Sequence, residues 1–123
     1  MGRIKDMGFG VGDYVTPKSI NKGLMTILFQ DVDDSVKTIG KQLLSEGWRF
    51  YVVNQTRGYC NYTNKIITIP AWVFSKGIAY KIWYICHEMA HTFAKGDMHG
   101  PKFMSELIRI CPKRCIHFEL EYK

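Results

Sequence analysis

Apolar positions change their spacing several times along the chain, and each change predicts an element. Residues 1–24 show no period. Gly8, Gly10, Gly12 and Gly23 recur among lysines and polar residues, the pattern of a loose arm with one short extended piece around Tyr14-Val15-Thr16. Val36, Ile39, Leu43 and Leu44 then recur at helical spacing and predict a helix over about 32–46. Asp31, Asp33 and Asp34 are its N-cap candidates and Gly47 its C-cap. Residues 48–54 are aromatic and β-branched and read as a strand. Residues 57–61 and 65–70 flank Tyr62-Thr63-Asn64 as the arms of a hairpin, the second ending on Pro70. A long helix follows over about 75–95, with Gly96 as its C-cap. Pro101 then opens another helix that runs through Phe103, Leu107 and Ile110 to Pro112. Alternation from Ile116 to Tyr122 predicts a half-buried final strand. Residues 25–123 are thus expected to form a single α+β domain, a small antiparallel or mixed sheet packed on the 75–95 helix.

That helix carries His87-Glu88-Met89-Ala90-His91. Histidines four apart stack on one helix face and can clamp one metal ion. Glu88 points about 100° around the axis, which sets its carboxylate beside the metal and not on it. The expected chemistry is hydrolysis of a peptide bond by a zinc-bound water activated by Glu88. On a helical wheel Tyr80, Tyr84, His87 and His91 fall along one stripe, expected to face a cleft. Ile78, Ile82, Ile85, Cys86, Met89 and Phe93 lie on the other side, expected to face the core.

A catalytic zinc site needs a third protein ligand. The chain has four histidines, and His99 falls shortly after His91, beyond the Gly96 turn and just ahead of Pro101. His99 is the expected third ligand. Asp97 is the competing one, its plainer role being that of a loop residue capping its own backbone.

His87-Glu88-x-x-His91 followed by His99-Gly100-Pro101-x-Phe103 resembles the core of the SprT-like (Spartan-type) zinc metallopeptidases. The stretch from Gly58-Tyr59-Cys60 to Ile67-Thr68-Ile69 is also similar to the hairpin that precedes that family's metal helix. The resemblance spans about residues 57–111. It implies a zincin-like fold, His87, His91 and His99 as ligands of one Zn2+, Glu88 as general base, and proteins associated with DNA as substrates. In zincins an edge strand beside the metal helix commonly pairs with the substrate backbone, and Ile66, Ile67 and Thr68 are the candidates here. Tyr84, His117 and Tyr122 are candidates for stabilising an oxyanion or supporting the site from behind.

Composition bounds these readings. An apolar fraction of 46% and an aromatic fraction of 14% over 123 residues suit one folded domain. No run approaches the roughly 20 apolar residues of a membrane span, and Met1-Gly2-Arg3-Ile4 opens no signal-peptide stretch, so a cytoplasmic protein without membrane contact is expected. A net charge of +6 favours polyanions such as DNA, although no block of basic residues occurs. Cys111 and Cys115 form a lone pair, and with Cys60 and Cys86 they are expected to be ordinary thiols and not a structural zinc site. Two rival functions remain: a non-catalytic zinc-stabilised module that binds protein or nucleic acid, and a metal-free basic binder in which the histidine motif is accidental.

Overall fold

A computed structural model describes residues 27–121. The arm expected over 1–24 and the candidate Tyr122 lie outside the described residues. The fold is α+β: a three-stranded mixed sheet with several helices.

Helix α1 (Asp34–Ser45) ends in a tight C-terminal motif. Gly47 takes φ +99°, the Gly47 N–H bonds to the Leu44 carbonyl, and the Trp48 N–H bonds back to Leu43. Those two bonds satisfy carbonyls that the helix end leaves open, and a glycine supplies the positive φ at little steric cost. Asp33 occupies the N-cap position but makes no side-chain cap bond. Its carboxylate instead receives two hydrogen bonds from Arg114, at 2.9 and 2.7 Å, tying α1 to the far end of the chain.

Strand β1 (Arg49–Val53) turns Phe50 and Val52 into the core. Strands β2 (Tyr59–Asn61) and β3 (Ile66–Pro70) form the expected hairpin. The sheet order is β1-β3-β2, with β1 and β3 parallel and β2 and β3 antiparallel. The loop at 54–58 carries the chain past the place beside β1, and the hairpin then lays β3 into it. The sheet is mixed, one of the two arrangements expected. One expectation changes: the 65–70 segment is the central strand, not an edge. Ile66, Ile67 and Thr68 are paired on both sides, so they have no free edge on which a substrate strand could add.

A 3-10 turn (Ala71–Lys76) and Gly77, at φ +97°, separate the sheet from α2 (Ile78–Thr92). The long helix expected over 75–95 is therefore shorter at both ends. Gly96 lies in a separate turn, at φ +87°, closed by the Asp97 N–H on Ala94. Helix α2 is buried on every side from Lys81 to Ala90, against the expected two-faced pattern. Ile78, placed on the core stripe by the wheel, is half exposed. Tyr80 and Tyr84 pack in an aromatic cluster with Trp72, Trp83 and Phe118, and neither lines the cleft at the histidines. Lys81, also buried, survives there because its ammonium donates to the Gln30 carbonyl at 3.0 Å.

Helix α3 (Pro101–Ile110) starts with Pro101 at its first position, as expected, and buries Phe103, Leu107 and Ile110. After a 3-10 turn (Lys113–Cys115) comes α4 (His117–Glu121). The expected final strand is thus a short helix. A strand needs a partner edge, and this segment packs instead on the side of α2, where Glu119 is buried and Leu120 is 80% exposed. The core joins Val36 and Leu43 of α1, Phe50, Ile67 and Ile69 of the sheet, Ile82, Trp83, Ile85 and Met89 of α2, and Phe103 and Leu107 of α3. Each such side chain contributes roughly 1.5–3 kcal/mol by leaving water, and α2, at the centre, is fixed most firmly.

Candidate metal centre

The rigidity of α2 is what makes its polar residues informative. His87 and Glu88, 3% and 4% exposed, lie in the stretch of the helix, Lys81 to Ala90, that is buried throughout. His91 follows one turn later and is partly exposed. The third imidazole arrives from the loop between α2 and α3. His99 adopts φ +63°, the left-handed region, where histidine is among the residues more often found. That backbone geometry turns the chain back on α2 and brings His99 Nε2 within 3.2 Å of His87 Nε2 and 3.1 Å of His91 Nε2.

Asp97, the alternative ligand, has another task. Its Oδ2 accepts the Phe103 N–H at 2.8 Å, capping the first turn of α3. Gly100 is required beside it, because a Cβ there would lie 2.2 Å from Asp97 Oδ1. Pro101 and Gly100 thus serve a capped turn that presents His99. Phe103, fully buried, then lies against all three imidazoles, with ring centroids 5.0, 4.5 and 4.8 Å from His87, His91 and His99.

The group His87, His91 and His99 is the one metal-capable cluster among the described residues. Two observations test whether a cation fits it. Tetrahedral zinc held by nitrogens at 2.0–2.1 Å would set them about 3.3 Å apart, close to the spacings observed. Burial and the neighbouring His87 and His99 rings push His91 down to about 4, so it is neutral and its lone pair is available. Imidazole nitrogens converging on one point are suited to sharing one cation. The second observation is Glu88, whose Oε1 is buried and without a hydrogen-bond partner. Burial, partly offset by His87 and reinforced by Glu119, pushes its carboxyl up to about 7. A carboxyl left in that state is costly unless a ligand or reactant uses it.

Several residues that the sequence did not single out support the centre. Glu119 Oε1 lies 2.7 Å from His87 Nδ1 and accepts the Trp83 indole N–H at 3.0 Å. Burial alone would raise the Glu119 carboxyl, but the His87 hydrogen bond and electrostatic field, the Trp83 hydrogen bond and the field of His99 together outweigh it and hold it below its usual range. An ionised carboxylate only accepts, so the proton of that contact sits on His87 Nδ1, and Nε2 is the ring nitrogen turned toward His99. Tyr62, from the hairpin turn, donates to the His91 carbonyl at 2.6 Å. Cys60 lines the cleft, and burial together with the Glu88 charge pushes its thiol up to about 12. It remains protonated, unsuited to act as nucleophile or ligand. Glu119 stood in a segment whose alternation signalled a strand, and Tyr62 and Cys60 read as hairpin residues. In the sequence, none of the three stood close to the motif.

The open side of the centre is a cleft of about 230 Å³. One wall is the 57–62 segment with Arg57, Tyr59, Cys60 and Tyr62. The floor is His87, Glu88 and His91, and Met98 with His99 forms the other rim. Strand β2, on the outside of the sheet, borders this cleft in the position expected of 65–70. Gly58 at its entry is tightly seated: a Cβ would lie 2.2 Å from the Thr68 carbonyl oxygen. Its N–H bonds to the Tyr84 hydroxyl at 2.9 Å. Tyr84 is thus placed behind β2 and is not among the cleft-lining residues, and neither is His117, which is exposed and stacked on Phe118 at 4.1 Å. Tyr84 lies beside the His87 ring, with centroids 6.5 Å apart, on the side of the site away from the cleft.

Cys86, Cys111 and Cys115 are buried free thiols, as expected. No helix among the described residues is long and apolar enough to cross a membrane. Compared with models of known families, with characterised proteins and with solved structures, the chain finds no match.

Proposed function

We propose that this protein is a zinc-dependent peptidase of zincin type, similar in its core to the SprT-like enzymes, with His87, His91 and His99 as ligands and Glu88 as general base. One observation carries the reading: three imidazole Nε2 atoms converge beside a buried carboxylate with one oxygen unpartnered. A structural zinc site would not require that carboxylate, and closed structural sites use four protein ligands.

An ion in this position supplies Lewis acidity, polarising a carbonyl oxygen and easing deprotonation of a water molecule. The chain's own groups do the rest. Glu88, with its carboxyl near neutral pH, takes the proton from the attacking water and can return it to the leaving amine. Phe103 and the surrounding core hold the three imidazoles in place, so little reorganisation accompanies reaction. The outer edge of β2 is the surface on which an extended peptide would add as a strand, bringing its scissile bond over Glu88.

The experiment is metal analysis and proteolysis of an unfolded protein substrate by purified variants. Wild type is expected to carry about one zinc per chain, and His87→Ala, His91→Ala or His99→Ala to lose it. Glu88→Gln is expected to keep zinc and to lose cleavage by at least a hundredfold, the usual scale of a general base. Zinc retention with undiminished activity in Glu88→Gln would overturn the catalytic assignment. A wild type that holds zinc and cleaves nothing would favour the binding-module alternative.

A further inference from the structure

Apolar burial alone would turn the C-terminal helix the other way. Leu120 is 80% exposed, while its neighbour Glu119 is 5% exposed, in a wall made by Trp83, Phe118 and His87. A carboxylate in such surroundings needs hydrogen bonds to remain there. It has them: His87 Nδ1 at 2.7 Å and the Trp83 indole N–H at 3.0 Å, both on the single oxygen Oε1. A five-residue helix is also too short to be stable by itself, so α4 is placed by what it docks on.

We propose that Glu119 is a positioning residue of the metal centre, acting through His87. It holds the His87 proton on Nδ1, keeps the Nε2 lone pair aimed at the point where His91 and His99 converge, and places a negative charge behind the ligand. Partners of this kind fix the ring orientation and raise the basicity of a metal-bound imidazole. Trp83 completes the arrangement: by occupying the same carboxylate oxygen and lying 5.5 Å from the His87 ring, it keeps Glu119 from swinging away. The inference rests on the three-histidine metal reading and is independent of peptidase turnover.

Its test is zinc affinity, measured by competition with a chromophoric chelator, for wild type, Glu119→Gln, Glu119→Ala and His87→Ala. Nitrogen–proton NMR of the His87 ring in the metal-free proteins accompanies it. Both Glu119 variants are expected to bind zinc about 10- to 100-fold more weakly than wild type. The metal-free wild type is expected to show a single His87 tautomer with its proton on Nδ1. Should the alanine variant fail to fold, the glutamine variant, of the same size, decides. A folded Glu119→Gln whose affinity falls less than about tenfold would overturn the proposal and leave the metal site standing. So would a wild-type His87 carrying its proton on Nε2. Absence of zinc binding in wild type would remove the metal reading and, with it, this one.

Discussion

Glu88 is where stability and chemistry pull apart most clearly. Its carboxyl is raised from 4.5 to about 7 by burial. Between those values the folded chain holds a proton that the unfolded chain has released. By linkage, metal-free stability therefore falls as pH rises through this window, and the full cost is present above about 7. Glu88→Gln removes that cost. In chelator-treated protein it is expected to exceed wild type in unfolding free energy by up to about 3 kcal/mol at pH 8, with the gap closing near pH 5. Urea unfolding at the two pH values is the measurement, and a gap of equal size at both would show that ionisation of Glu88 is not its cause. The same substitution is the one expected to silence hydrolysis. His87 and His91 were legible as a pair because two positions four apart on a helix leave little freedom in where the side chains meet. Glu119, which completes their surroundings, was illegible because its partner lies 32 positions away and its own segment signalled the wrong element.

Between α2 and α3 the decisive element is the turn, and its parts act together. Gly96 reverses the chain, Asp97 caps α3, Gly100 leaves room for the Asp97 carboxylate, and His99 is held in the left-handed region. Asp97→Ala is expected to cost about 1 kcal/mol of stability, as loss of a cap does. It should also weaken zinc binding modestly, because the capped turn carries both His99 and Phe103. Asp97→Asn, which keeps an acceptor, is expected to retain zinc in metal analysis; its loss there would make Asp97 a ligand. Pro101 and Gly100 announced this turn in the sequence because each has a local steric meaning. Sheet order had no such local marker. Whether residues 65–70 lie at an edge or in the middle depends on where β1 sits, and the 54–58 loop decides that through tertiary packing alone. Hydrophobic spacing at 65–70 is compatible with either place, and only the buried Ile67, Thr68 and Ile69 reveal the central one. The final helix departs from the expected strand for a related reason: alternation in so short a segment fits a strand, and only docking on α2 determines otherwise.

At the scale of the whole molecule, a metal bound by the folded state raises its stability by mass action. At free zinc a hundredfold above the dissociation constant the gain is about 2.7 kcal/mol, which for a domain of this size is an upward shift in melting temperature of order 10 °C. Differential scanning fluorimetry with zinc, and again after chelation, should show that rise and its reversal, and neither in His91→Ala. Arg114 and Asp33 join α1 to the tail at the surface, a contact that contributes little to this total. The spacing of the ligands sets a limit on the thermal shift. All three imidazoles belong to the stretch from His87 to His99, so a denatured chain has only a short loop to close before it too can grip the ion. Zinc retained by the denatured ensemble subtracts from the gain. Melting shifts would then understate the affinity of the native centre, while calorimetric titration of the folded protein would report it in full.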